Sequence, residues 1–185
     1  MDAAAIRTAL SYRDCIPVMR EAMIALSSGE VAQSLRSFLP VGTQGTFAMM
    51  PAVLPQGFGA KLVSVYPEPD NPGGRRHQGL VVLFDRDSGA PVFVGDAEEI
   101  TRIRTAAASA AATDALARKD AAVLTVIGTG HQAQAHIQAI SAVRDLKQVR
   151  LWGRTLDKAH DLARAVSRAY QIEAVAFDTL EQACE

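Results

Sequence analysis

A two-part α/β fold is predicted by three observations. Near the end of the chain, two apolar runs of strand length, Val123 to Ile127 and Gln148 to Trp152, flank a stretch with helical spacing. A glycine-rich turn, Gly128-Thr129-Gly130, joins the first run directly to that helix. The preceding region has a different texture, with hairpin signals, prolines and one long alanine-rich helix. The expectation is an α+β domain over residues 1–119, followed over residues 120–185 by the first half of a doubly wound parallel sheet. The boundary is placed near Arg118-Lys119-Asp120.

In the first region, Ser11, with Asp14 three residues on, introduces a helix from about Tyr12 to Ser28, and Gly29 ends it. Thr46 to Pro51 and Ala60 to Tyr66 read as strands. Leu80 to Phe84 and Pro91 to Val94 read as a hairpin, because Asp85 to Gly89 is a short polar connection carrying a glycine. An antiparallel or mixed sheet with flanking helices is expected. The alanine-rich helix runs from about Asp96 to Arg118, its small side chains allowing a neighbouring element to come close.

In the second region, Val123 to Ile127 is continuously apolar, as expected of a parallel strand buried on both faces. His131 to Val143 places Ala133, Ile137 and Ile140 on one helical face. Gln148 to Trp152 is a second strand and Gln171 to Ala176 a third, after which only the start of another helix remains.

Composition narrows the function classes. With 49% hydrophobic residues and a formal net charge of -1, the chain has material for a core and no electrostatic reason to seek nucleic acid or an anionic membrane. Cys15 and Cys184 are far apart and lack a partner at metal-ligand spacing, so neither a disulfide framework nor a metal site is expected. The start Met1 to Arg7 lacks the features of a secretory signal, and no stretch has the length and apolarity of a membrane span. A reducing cytoplasm is the expected location.

The turn carries the chemistry. Gly128 allows the bend from strand to helix, Gly130 lets the backbone approach a pyrophosphate, and Ala133 keeps the helix close to the strand. Backbone N–H groups and the dipole at the helix start favour an anion, so Gly128, Thr129, Gly130, His131, Gln132 and Ala133 are the candidate dinucleotide contacts. Past the second strand, where an acidic side chain would read the ribose of NAD, the chain has Gly153-Arg154-Thr155. Arg154 suits the extra phosphate of NADP, and Thr155 can cap the next helix and also donate a hydrogen bond. Asp157 falls inside that helix. NADP(H) is therefore favoured and NAD(H) remains possible; the structural alternative is a solvated Arg154 and a Thr155 that only caps.

Three cations in the first region are candidates for a substrate. Lys61 lies in an apolar strand, and alternation groups it with Val63 and Val65. Two readings stay open, a tunable lysine in low-dielectric surroundings or one on the solvent face. Arg104 has no carboxylate one turn away on either side, unlike Arg102, which has Glu98 and reads as a surface pair. Arg104 is thus suited to grip a ligand carboxylate bidentately, or to extend past small alanines into solvent. Arg36 lies near an extended segment.

Taken in order, Leu35-Arg36-Ser37-Phe38-Leu39-Pro40, Gly59 to Pro67 around Lys61, His77-Gln78-Gly79, Ile103-Arg104-Thr105-Ala106-Ala107-Ala108-Ser109, Gly128 to His136, and Trp152-Gly153-Arg154-Thr155 form a series of motifs. In order and spacing, this series resembles the ornithine cyclodeaminase and mu-crystallin family. The resemblance covers nearly the whole chain. It implies a homodimer whose protomer has a substrate and dimerisation domain and a Rossmann domain. It also implies that Arg36 and Arg104 hold the substrate carboxylate, that Lys61 meets the reacting centre as acid or base, and that Thr105 lies near the cofactor phosphates.

Members of that family include ornithine cyclodeaminases, amino acid dehydrogenases, reductases of cyclic ketimine carboxylates and an NADPH-binding ligand carrier. Cyclodeaminases of the family carry an acid just before the Met-Pro step, where this chain has Phe47-Ala48-Met49-Met50-Pro51. That departure and Gly153-Arg154-Thr155 favour a ketimine reductase using NADPH over a cyclodeaminase; an amino acid dehydrogenase and a non-catalytic NADPH-binding carrier stay open. The resemblance also implies further sheet strands and an aspartate beyond Glu185. The expectation is accordingly one mononucleotide-binding half, an exposed apolar sheet edge, and weak or no turnover from these residues alone, whether as a fragment or a natural truncation.

Overall fold

A computed structural model describes residues 1–68 and 75–185. Its packing divides into two units, Met1–Ser11 with Glu21–Thr101, and Tyr12–Arg20 with Arg102–Glu185.

The first unit is built on an antiparallel sheet. β1 (Ala32–Gln33) and β2 (Ser37–Val41) both pair with β3 (Gly45–Leu54), which continues through β4 (Gly57–Pro67) and β5 (Arg75–Phe84) to β6 (Pro91–Asp96). β3 and β4 hold register from Thr46↔Val65 to Leu54↔Gly57, which sets Met50 opposite Lys61. The hairpin expected between β5 and β6 is present: Asp85 Oδ1 accepts from the Ser88 N–H at 2.8 Å and its hydroxyl at 2.6 Å, and Gly89 takes φ 69°.

The sequence reading missed the short helix α1 (Ala3–Ala9). Asp2 caps it by accepting from the Ala5 N–H, and Ile6, 3% exposed, anchors it. Distant partners supply the rest. The Met1 amino group donates to Val94 O at 2.6 Å, and Arg7 pairs with the buried Glu99 at 2.9 Å. The expected helix from Tyr12 appears as α2 (Tyr12–Ser27), ended by Gly29 at φ 80°, with the Glu30 N–H closing back on Ala25 O.

The second unit holds the parallel sheet β7 (Val123–Ile127), β8 (Gln148–Trp152) and β9 (Glu173–Ala176), in the order β7-β8-β9. The intervening helices are α4 (His131–Ser141) and α5 (Leu156–Tyr170), and α6 (Leu180–Cys184) follows. β8 is central, with Val149 and Leu151 wholly buried. β7 is not buried on both faces as its apolar run led to expect; among the described residues it pairs on one side only, and with Val123 52% and Ile127 61% exposed it is the exposed apolar sheet edge expected of one mononucleotide-binding half.

The division also departs from a boundary at residue 119. It crosses α3 (Ala97–Leu116), whose alanine-rich part from Arg102 packs with the parallel-sheet unit. Ala106, Ala107 and Ala110 are fully buried, and Arg102 donates to the Tyr12 hydroxyl at 3.1 Å. Arg144, 7% exposed, donates to the carbonyls of Thr113, Asp114, Ala117 and Arg118 and to Asp114 Oδ1 at 3.0 Å. One guanidinium thereby gathers the carbonyls at the end of α3, where the helix runs out of its own donors. Arg20 at 2.6 Å and Lys119 at 3.2 Å join Arg144 on Asp114, and these cations, Arg144 foremost, hold its carboxyl well below the usual carboxylate range. Among the described residues, no helix is long and apolar enough to cross a membrane.

Candidate functional site

The turn after β7 begins with Gly128 at φ 120°, a conformation that disfavours any side chain, and its N–H donates to Trp152 O at 2.7 Å. That bond joins the turn to the end of β8. A side chain at Gly153 would bring its Cβ to 2.7 Å from Thr129 Cγ2, so the loops after β7 and β8 are in contact there. Arg154 and Thr155, both exposed, follow immediately.

Gly130 is different. It is the N-cap of α4 with φ -82°, open to any residue, and no atom lies within 4 Å of where its Cβ would stand. Neither backbone conformation nor packing within the described residues asks for glycine at this position. A ligand approaching the backbone would ask for it.

Ala133 closes the first turn, its N–H donating to Gly130 O at 2.9 Å while its methyl is buried. His131 and Gln132 are exposed, in the turn where helical N–H groups have no acceptor in the helix. Thr155 occupies the N-cap of α5 but makes no side-chain capping bond, contrary to the capping role expected for it. Thr105, on α3, has a buried hydroxyl with no hydrogen-bond partner among the described residues. A buried hydroxyl left in that state is costly, so it marks a place for an acceptor from outside the chain. The open Gly130, the Thr105 hydroxyl, the exposed Arg154 and the uncommitted Thr155 are compatible with a bound dinucleotide.

Lys61, in β4, shares a face with Val63, which is 5% exposed. Its Nζ donates to Thr101 Oγ1 at 2.6 Å in partly buried surroundings, so the lysine is neither fully sequestered nor simply solvated. Arg36 is exposed, between β1 and β2. Arg36 and Lys61 belong to the first unit, Arg104 and Thr105 to the second. On α3, Arg104 and Thr105 are neighbours in sequence. Arg104 is exposed, and its charge opposes the upward push that burial gives the Cys15 thiol. Arg102, expected on the surface beside Glu98, is half-buried and bonded to Tyr12 instead.

Two polar links were not seen in the sequence. One is Arg144 on the end of α3. The other is His136, whose Nδ1 lies 2.7 Å from Gln132 O and whose Nε2 lies 3.0 Å from Ser109 Oγ. For the first, no local pattern signals a contact across 30 residues. For the second, His136 four residues after Gln132 was a legible helical spacing, but Ser109 was not a legible partner.

Known proteins bear directly on this arrangement. The family model of the ornithine cyclodeaminase/mu-crystallin family matches residues 1–185. A Delta(1)-pyrroline-2-carboxylate reductase of Bacillus cereus is 32% identical over 180 residues, covering 96% of this chain and 55% of that protein. The mouse ketimine reductase mu-crystallin is 35% identical over 157 residues, covering 82% of this chain and 50% of that protein. A Thermococcus litoralis Delta(1)-pyrroline-2-carboxylate reductase, solved with NADH and L-proline, superposes with a TM-score of 0.88 at 28% identity, covering 99% of this chain and 58% of that one. The chain thus spans about half the length of the curated relatives it matches. Over its whole length it belongs to the ornithine cyclodeaminase/mu-crystallin family.

Proposed function

We propose that the protein is an NADPH-dependent reductase of cyclic ketimine 2-carboxylates, converting substrates of the Δ1-pyrroline-2-carboxylate type to the cyclic amino acid. The observation that carries this reading is Gly130, whose bare backbone at the head of α4 leaves open space for an approaching ligand. The reductase relatives and the bound NADH and L-proline of the Thermococcus protein supply the reaction class.

In this reading Gly128 to Ala133 hold the pyrophosphate, the Thr105 hydroxyl gives it a hydrogen bond, and Gly153, Arg154 and Thr155 take the ribose and its 2'-phosphate. The nicotinamide, when bound, supplies hydride to the imine carbon. Arg36 and Arg104 hold the substrate carboxylate in bidentate fashion, which fixes the ring's orientation. Lys61 holds or delivers the proton at the imine nitrogen, and its bond to Thr101 keeps Nζ in place. The absence of a carboxylate among Phe47, Ala48, Met49 and Met50 supports an imine over a diamine substrate. We further propose a cytoplasmic homodimer. One structural neighbour, an archaeal alanine dehydrogenase at 26% identity and TM-score 0.89, is itself a dimer with bound NAD.

Titration with each dinucleotide tests the cofactor assignment. Arg154→Ala should weaken NADPH by at least about 10-fold, the loss of one charge-assisted contact, and leave NADH nearly unchanged. Equal loss for both would refute the phosphate-reading role.

A further inference from the structure

His136 is a polar group of α4 that the proposed chemistry leaves unused. Its surroundings fix its hydrogens. A backbone carbonyl can only accept, so with Gln132 O at 2.7 Å the Nδ1 of the ring carries the proton. In the neutral ring Nε2 then accepts, and the Ser109 hydroxyl at 3.0 Å is its donor. Ser109 is mid-helix in α3, where a serine usually bonds back to the carbonyl one turn earlier or points to solvent. Here it is engaged by a different helix.

The location gives this bond its meaning. Gln132 lies in the first turn of α4, directly after the Gly130 cap, and Ser109 stands one turn past Thr105 on α3. His136 therefore links the two backbone segments that bear the anion-binding N–H groups and the orphaned Thr105 hydroxyl. The other polar link between these stretches is Arg144, which follows the far end of α4 and grips the end of α3.

We propose that His136 is a positioning residue for the dinucleotide: with Ser109 it fixes the distance between the first turn of α4 and the Thr105 hydroxyl. The inference rests on the reading of that turn as a dinucleotide site. It acts through backbone and hydroxyl groups, without contact between His136 and the ligand.

The test is a double-mutant cycle on the full protein, with NADPH affinity, the KM for the cyclic imine and the melting temperature measured for each form. His136→Ala and Ser109→Ala should each weaken NADPH by roughly 10-fold, the worth of one hydrogen bond, and the double variant by no more than either alone. The imine KM should stay within about twofold, and His136→Gln, which keeps a side-chain amide near Ser109, should recover most of the affinity. Wild-type NADPH affinity in both single variants, additive losses, or an equal rise in imine KM would overturn the role given to His136 while leaving the dinucleotide site intact. A wild type that binds neither NADPH nor NADH would overturn both.

Discussion

Gly130→Ala separates what the fold needs at the pyrophosphate turn from what the ligand needs. At φ -82° with nothing within 4 Å of the new methyl, alanine meets no strain and no clash. Reduced freedom of the unfolded chain favours the variant by about 0.4–1 kcal/mol. Alanine is a poorer N-cap than glycine, which opposes this by several tenths to about 1 kcal/mol. The two nearly cancel, so the stability of Gly130→Ala should lie within about 0.5 kcal/mol of wild type. Binding should respond very differently. The methyl projects from the point where the phosphates approach, and displacing them lengthens one or two charge-assisted bonds worth about 1.5–3 kcal/mol each. That corresponds to a loss of roughly 10- to 10,000-fold in dinucleotide affinity. Thermal unfolding of the apo protein and calorimetric titration with NADPH on the same sample measure both quantities. A stability loss of about 2 kcal/mol or more would mean that glycine is needed for folding. Undiminished NADPH affinity would mean that nothing approaches the backbone there.

Other outcomes follow from the same structure. Arg144→Ala removes the side-chain donor to the Ala117 carbonyl and a second donor to that of Thr113, and should destabilise by about 2–3 kcal/mol, a fall of roughly 6–10 °C in melting temperature. A fall under about 3 °C would contradict the capping role. Asp114 has a folded-state pKa depressed by Arg144, Arg20 and Lys119. Its contribution is present above the unfolded value near pH 4 and is lost as pH falls below it, so Asp114→Asn should flatten the acid limb of a stability profile. An unchanged limb would show that the cluster is not coupled to folding. Lys61→Met should lower kcat by about 100-fold or more while NADPH affinity stays within about twofold, and a variant with wild-type turnover would remove Lys61 from the chemistry.

The elements legible in the sequence were those whose cause is local. β7 and β8 have the expected limits because each is an apolar run bounded by a turn. α2 ends at the expected glycine because Gly29 provides the left-handed residue that stops a helix. α1 was missed because one buried residue, Ile6, gives no periodicity, and Val94, Asp96 and Glu99, which hold this end of the chain, are far off in sequence. β2 was missed because all its residues are exposed, so no alternation appears. The site shows the same contrast. Gly128, Gly130, Arg154 and Lys61 were legible because each carries its chemistry in its own type and spacing. The Ser109 partner of His136, the α3 partners of Arg144 and the solitary Thr105 hydroxyl were not, because each is defined by a contact that exists only once the helices are packed. Composition changes near residue 119, whereas the packing division falls within α3, where buried alanines already pack.

The most direct measurement is the steady-state consumption of NADPH by the full-length protein in the presence of Δ1-pyrroline-2-carboxylate, with the cyclic product identified. Saturable NADPH oxidation yielding proline in equal amount is the predicted result. Tight NADPH binding with no oxidation, for this imine and its six-membered homologue alike, would contradict the assignment.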